Sequence, residues 1–176
     1  MGTFKVKGGN NLSGVIIPQG AKNEALQVIS AVLLTEKIVT IDNIPDIIDV
    51  NRLIDLLDNL GVTVKKINQN KYSFESKNID LDYLNTIDFE TKAKGLRGSI
   101  MIIGPLLSRF GKASIPKPGG DKIGRRKLDT HFEGLVKLGA NFKYDNKNYR
   151  YNVTANKLKG SYILLDQPLS LIHISE

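Results

Sequence analysis

The feature that most constrains the fold of this chain is an internal repeat. Residues 31–64, "AVLLTEKIVTIDNIPDIIDVNRLIDLLDNLGVTV", and residues 104–142, "GPLLSRFGKASIPKPGGDKIGRRKLDTHFEGLVKLGANF", follow one order. Each runs helix, tight turn, short strand, loop, helix ending in Leu-Gly, strand. Leu33-Leu34 answers to Leu106-Leu107, and Leu60-Gly61 to Leu138-Gly139. A repeated supersecondary unit buries its apolar face against its neighbour, so one α+β unit used twice is expected to share a core. The copies differ in one place. The first joins strand to helix through Pro45-Asp46, whereas the second inserts a longer loop rich in glycine and cations. Added loop on a repeated scaffold is where function concentrates.

Hydrophobic periodicity supplies the elements. Two short strands are predicted over 4–7 and 14–18, around the turn residues 8–11. A helix is predicted over 23–36, with Leu26, Ile29, Ser30, Leu33 and Leu34 along one face. A strand over 38–41 follows. The next helix has Asp46 or Asp49 as its N-cap, with Leu53, Leu56, Leu57 and Leu60 spaced for one face and Gly61 closing it. A hairpin pairs 62–67 with 72–74. In the second half a helix covers 96–110, carries Pro105 and ends at Gly111. A strand over 113–115 leads into the basic loop. A further helix places Leu128, Phe132, Leu135 and Val136 on one face and closes at Gly139. Strands over 142–144, 149–153 and 162–165 complete the pattern.

Composition narrows the chemistry. The 176 residues hold 25 Lys+Arg against 18 Asp+Glu, a formal charge of +7, with 41% hydrophobic residues. This is globular composition and not that of a disordered chain. The absence of cysteine excludes a disulfide framework, a thiolate zinc site and a cysteine nucleophile. Two histidines, His131 and His173, do not make a histidine-rich metal site. No stretch approaches the roughly 18–20 apolar residues of a membrane span, and residues 1–7 lack the apolar core of a signal peptide. A soluble cytoplasmic protein with an anionic partner is expected: a nucleic acid, a nucleotide or a phosphorylated metabolite.

Three stretches are suited to anions. In "GAKN", residues 20–23, glycine permits close backbone approach, the helix start offers N–H groups, and Lys22 adds a charge. The same residues also fit a solvated lysine beside an Asn cap. In residues 116–131, "PKPGGDKIGRRKLDTH", Lys117, Lys122, Arg125, Arg126 and Lys127 accompany three glycines and suit a diphosphate. Thr130-x-x-Glu133 fits a capping box, with a helix start between Lys127 and Thr130. His131 is read as a half-buried helix residue, with acid–base catalysis as the other possibility. In "GLRGSI", Arg97 sits at a helix start between glycines. It suits an anion or a salt bridge to an aspartate. No base-stacking or helix-turn-helix pattern supports RNA binding by the "RRK" run.

"GAKNEAL", "LRGSIMIIGPLLSRFG" and "PGGDKIGRRKLDTHFEGLVKLGA", in that order, resemble the N-terminal part of the UDP-N-acetylglucosamine 1-carboxyvinyltransferase family, the enolpyruvyl transferases that open peptidoglycan precursor synthesis. The resemblance runs from about Phe4 to Asp166. "QPLSLIHISE" departs from it, which reads as truncation or a foreign tail. The resemblance implies an α/β fold of α+β repeats, an inside-out, barrel-like domain, here incomplete. It divides the chain into residues 1–21, which pack with another domain, 22–166, the loop-bearing domain, and 167–176, the non-matching tail.

The resemblance also implies roles. Lys22 and Asn23 match the pair that binds phosphoenolpyruvate. Arg97 matches an arginine that binds the UDP-sugar. Arg126, Lys127, Leu128, Asp129 and Thr130 match the stretch that lines the nucleotide, with Arg126 also near phosphoenolpyruvate and Lys127 standing where many members have proline. Asp121 takes the position of the proton donor, usually cysteine, which is the residue fosfomycin alkylates. No cofactor and no metal are implied, and neither nucleic acid nor membrane is an expected partner. The second domain carries the general-base aspartate and further arginines, so this chain alone is expected to be inactive. The competing expectations are an enolpyruvyl transferase of another pathway, such as the shikimate enzyme, and a non-enzymatic nucleotide- or RNA-binding module.

Overall fold

The computed structural model describes residues 2–119 and 128–164. The repeat is present as two α-β-α-β-β units. In the first, α1 (Lys22–Ala31) runs through a 3-10 turn, Val32–Leu34, to β1 (Val39–Ile41), α2 (Ile48–Asn59), β2 (Thr63–Asn68) and β3 (Lys71–Glu75). A linking helix, α3 (Ile87–Lys94), and a 3-10 turn, Arg97–Ile102, lead to the second unit. That unit is α4 (Ile103–Phe110), β4 (Lys112–Pro116), α5 (Asp129–Lys137), β5 (Asn141–Asp145) and β6 (Arg150–Thr154). Each unit makes a three-stranded antiparallel sheet of the same order, β1-β3-β2 and β4-β6-β5, with the last strand in the middle.

The closing signals work alike in both copies. Gly61 and Gly139 have φ of 101° and 98°, left-handed values that glycine adopts without a Cβ penalty. The residue after each glycine then donates back into the helix, Val62 to Leu57 O and Ala140 to Leu135 O, both at 3.0 Å. The core is mainly helical. Ile29, Leu33, Leu53, Leu56, Leu57 and Leu106 are buried essentially completely and come from both units. The sheets lie outside this layer, with Phe74 and Val153 turned in and most of β2 exposed.

Several expectations change. Residues 4–7 and 14–18 form no strands. The first alternates apolar residues with lysines and the second is a β-branched run, yet no described strand lies beside either to take up its backbone groups, and Phe4 and Val6 are 95% and 89% exposed. The first helix tightens into its 3-10 turn after Ala31, which rotates Leu34 outward and leaves Val32 and Leu33 inside. Neither Asp46 nor Asp49 caps α2, whose N-cap is Ile47. The helix over 96–110 is a 3-10 turn followed by α4. Gly98 disfavours an α-helix there, and Pro105 falls in the first turn of α4, where a missing N–H costs least. Thr130 lies inside α5 with Leu128 as N-cap, so the capping box does not form. Residues 162–164 are not in a strand, and residue 165 lies outside the described residues. Periodicity missed α3, whose buried face is only Phe89 and Ala93. It is held by its cap, Thr86 Oγ1 accepting from Phe89 N at 3.1 Å.

Arg109 of α4 clasps the two units together. Its Nη1 donates to Leu33 O at 3.1 Å and Ser76 O at 2.7 Å, and its Nη2 pairs with Glu36 at 2.9 Å. The arginine side chain is 14% exposed and the Glu36 side chain 67%, so the carbonyl contacts carry the energy and the ion pair is screened. Arg109→Met is expected to destabilise the fold by about 3 kcal/mol, because it strands two acceptors. Glu36→Gln is expected to cost less than about 1 kcal/mol. Urea unfolding of both variants checks this, and equal losses would move the energy to the ion pair.

Candidate functional site

Lys22 is the first residue of α1, and the turn before it depends on Gly20. A Cβ on Gly20 would lie 2.0 Å from Asn43 O and 3.2 Å from Pro45 Cδ. Only a residue without a side chain lets this backbone close on the segment that enters α2. The starts of α1 and α2 thus come side by side, and Lys22 Nζ donates to Asp49 Oδ2 at 2.6 Å. The two side chains are 47% and 36% exposed, so the pair orients Lys22 more than it stabilises the fold, at about 0–1 kcal/mol. Ala21, the N-cap, is extended and gives no side-chain cap, and Asn23 is exposed in the first turn. The first-turn N–H groups of α1 have no intrahelical acceptor and form a positive helix end.

Arg97 opens the 3-10 turn packed against α1 and is half-buried. Gly98 makes that packing close: a Cβ there would lie 3.1 Å from Leu26 Cδ1, one helical turn beyond Lys22. Burial raises the Tyr151 hydroxyl pKa above its ordinary value. The charges of Tyr144 and Asp129 raise it further, and that of Arg97 opposes them. Phe132 of α5 packs on the same Tyr151 ring at 4.7 Å between centroids, and Thr130 to Phe132 share a groove with Ile100 and Met101 of the Arg97 turn, so the start of α5 lies on that side of the fold.

The basic loop begins and ends in this region. Gly119 N donates to Lys94 O at 3.0 Å, and a Cβ on Gly119 would lie 2.2 Å from the same oxygen. The loop thus departs at the end of α3, just before Arg97. Arg52 of α2 donates to the next carbonyl, Gly95 O, at 3.2 Å. The chain returns at Leu128, the half-buried N-cap of α5, followed by exposed Asp129 and half-buried Thr130. Asp121, Arg126 and Lys127, with Lys122 and Arg125, lie outside the described residues.

Of the expected site, Lys22 and Asn23 share the start of α1, Arg97 opens the turn that packs on α1 at Leu26, and Leu128, Asp129 and Thr130 form the start of α5. His131 is exposed, not half-buried. Together with Thr130 it borders an apolar groove of about 450 Å³ between Ile100–Gly104 and α5. Phe132, Leu135 and Leu138 line that groove, so it is not shaped for an anion. Sequence reasoning missed the role of Asp49, which it treated as a cap. The signal was its place in the first turn of α2, but the partner was set by tertiary approach.

Comparison with known proteins gives this geometry a lineage. The chain is 58% identical over 167 residues to the UDP-N-acetylglucosamine 1-carboxyvinyltransferase of Bacteroides thetaiotaomicron, covering 95% of this chain and 38% of that protein. It is 53% identical over 167 residues to the enzyme of that name from Porphyromonas gingivalis, with the same coverage. The chain thus spans 38% of the length of these curated relatives. Among solved structures, the enolpyruvyl transferase NikO from Streptomyces tendae superposes with a TM-score of 0.62 at 20% identity, over 86% of this chain and 32% of that one. EPSP synthase from Acinetobacter baumannii gives 0.58 at 14% identity, over 85% and 34%. At these identities the two structures speak for the fold, and they bear out the enolpyruvyl transferase architecture expected from the sequence. The model of the EPSP synthase (3-phosphoshikimate 1-carboxyvinyltransferase) family matches residues 6–176, and the chain belongs to that family.

Proposed function

We propose that this chain belongs to an enzyme that transfers the enolpyruvyl group of phosphoenolpyruvate to the 3-hydroxyl of UDP-N-acetylglucosamine and releases phosphate. The observation that carries this reading is the 53–58% identity, across 95% of the chain, to transferases named for that reaction. The site chemistry supports it: a lysine held by a carboxylate at a helix start, an arginine opening the turn packed on that helix, and a basic loop that leaves just before that arginine.

Lys22 and Asn23 hold the phosphoenolpyruvate. Arg97, Arg126, Lys127, Leu128, Asp129 and Thr130 hold the nucleotide sugar. Asp121 gives its proton to carbon 3 of phosphoenolpyruvate while the sugar hydroxyl adds at carbon 2. The tetrahedral adduct then expels phosphate, returning the carbon–carbon double bond with loss of a proton from carbon 3. Residues 1–21 pack on a second domain that supplies the general base for the sugar hydroxyl, residues 22–166 form the loop-bearing domain, and residues 167–176 stand outside it. No described helix is long and apolar enough to cross a membrane. A cytoplasmic place in peptidoglycan synthesis, and so in cell shape and division, fits the substrates.

The test is phosphate release from phosphoenolpyruvate and UDP-N-acetylglucosamine by protein carrying this chain at the full length of its relatives. Lys22→Ala is expected to lower the rate by roughly 10²–10³-fold, the loss typical of a charged contact to a developing anion. Lys65→Ala and Lys66→Ala, on the exposed strand β2, are expected to leave it unchanged. Turnover with shikimate 3-phosphate, and none with the UDP-sugar, would transfer the protein to the other branch of the family.

Asp121 generates a second expectation. A carboxylate is a far weaker nucleophile toward an epoxide than a thiolate. Wild type is expected to resist time-dependent inactivation by fosfomycin, and Asp121→Cys to become sensitive. An aspartic acid ionises near about 3.9 and a thiol near about 8.5, so the wild-type rate is expected to peak at lower pH than that of the variant. Equal inactivation of the two proteins would remove Asp121 from the proton-donor position.

A further inference from the structure

The Lys22–Asp49 pair joins two helix starts separated by 27 residues in sequence. Its arrangement is electrostatically one-sided. A lysine at the first position of a helix lies at the positive end of the dipole, which disfavours a cation. Asp49, in the first turn of α2, lies where a carboxylate is favoured. The α1 start therefore repels the Lys22 ammonium, and the neighbouring helix supplies the group that retains it. Unheld, a lysine ammonium on its four-carbon stem samples many positions.

The backbone is built for this contact. Gly20 closes to within van der Waals distance of Asn43 and Pro45, and any side chain there would push the two helix starts apart. Buried Pro45 and Ile44 anchor the approaching segment, and Ile44 N donates to Asn70 O at 2.8 Å in the β2–β3 turn. The position of Asp49 relative to Lys22 thus rests on the first sheet. An ammonium has three donors. Asp49 takes one, and the pair is open enough to solvent for the others to meet an anion.

We infer that Asp49 is a positioning residue for Lys22. It holds the ammonium across the starts of α1 and α2, so an arriving phosphate or carboxylate meets a fixed charge. Asp49 does not itself touch the substrate, and it stays on the ammonium when the anion binds. The inference rests on the assignment of Lys22 to phosphoenolpyruvate made above.

The experiment is calorimetric titration of phosphoenolpyruvate into protein of the relatives' full length. The proteins compared are wild type, Lys22→Ala, Asp49→Asn, Asp49→Glu and the double variant Lys22→Ala/Asp49→Asn. Asp49→Asn is expected to bind roughly threefold to tenfold more weakly, the cost of ordering one long side chain on binding. Asp49→Glu is expected to recover part of that loss. In the Lys22→Ala background, Asp49→Asn is expected to change nothing further, because its effect passes through the lysine. Loss of binding by Lys22→Ala with wild-type or tighter binding by Asp49→Asn would overturn the inference alone, making Asp49 a competing counter-ion. An equal cost of Asp49→Asn in both backgrounds would also overturn it. Equal binding by wild type and Lys22→Ala would remove the lysine assignment and this inference together.

Discussion

Everything in this fold follows from a core made by helices of two units at once. Leu33 comes from the first unit's opening turn, Leu53 and Leu57 from α2, and Leu106 from α4, and all are buried to within about 1%. Neither unit has enough apolar surface to exclude water alone, so the repeats are obliged to stack. With helices inside, the short sheets are left to cover the flanks. The edge strand β2 is left exposed on both faces, and this is where Lys65 and Lys66 stand. Helix packing also fixes where the helix starts emerge. The starts of α1 and α2 adjoin because α1 packs on α2, and the Arg97 turn joins them because it packs on both. The site is thus a consequence of the core.

The repeat was legible because each copy carries its own stop signals. Gly61 and Gly139 are read from sequence as helix ends, and both take the left-handed conformation that such ends need. The hairpin of β2 and β3 followed from two β-rich runs separated by turn residues. What failed had one physical cause: the deciding partner lay outside the segment. Residues 4–7 alternate and residues 15–17 are a β-branched run, as strands are, but such patterns create only the demand for a neighbour. The α3 helix fails in the opposite sense. It has a threonine cap, acids first and lysines last, yet only two buried residues, so a search for an apolar stripe passes over it.

The site was legible by type and less so by arrangement. Gly20, Lys22, Arg97 and the basic loop stood out because glycine and cations next to helix starts suit anions. Asp49 was visible only as a plausible cap. Its actual role depends on Gly20 lying against Asn43, a contact 23 residues away that no local pattern encodes. His131 and Thr130 were misplaced for a related reason. The helix begins at Asp129, which puts Thr130 inside it and turns His131 to the surface.

The two copies show how a symmetric scaffold becomes a one-sided site. Their backbones agree in detail. Asp80 N donates to Leu60 O at 2.9 Å, and Lys159 N to Leu138 O at 2.8 Å. Ile44 N donates to Asn70 O at 2.8 Å, and Lys117 N to Tyr149 O at 2.9 Å. Immediately after this last matched bond the copies part. The first proceeds by a short turn from Ile44 through buried Pro45 into α2, and Asp49 in its opening turn reaches Lys22. The second leaves through Gly119, clamped on Lys94 O, and spends residues 120–127 before α5. The short link makes one helix start available to hold a lysine from its neighbour. The long link leaves from Lys94 O, just before Arg97, and returns at Leu128. Had both links been short, the second unit would present only a cap. Had both been long, the turn through Pro45 would no longer seat against Gly20, and the start of α2 would lose the close approach that brings Asp49 to Lys22.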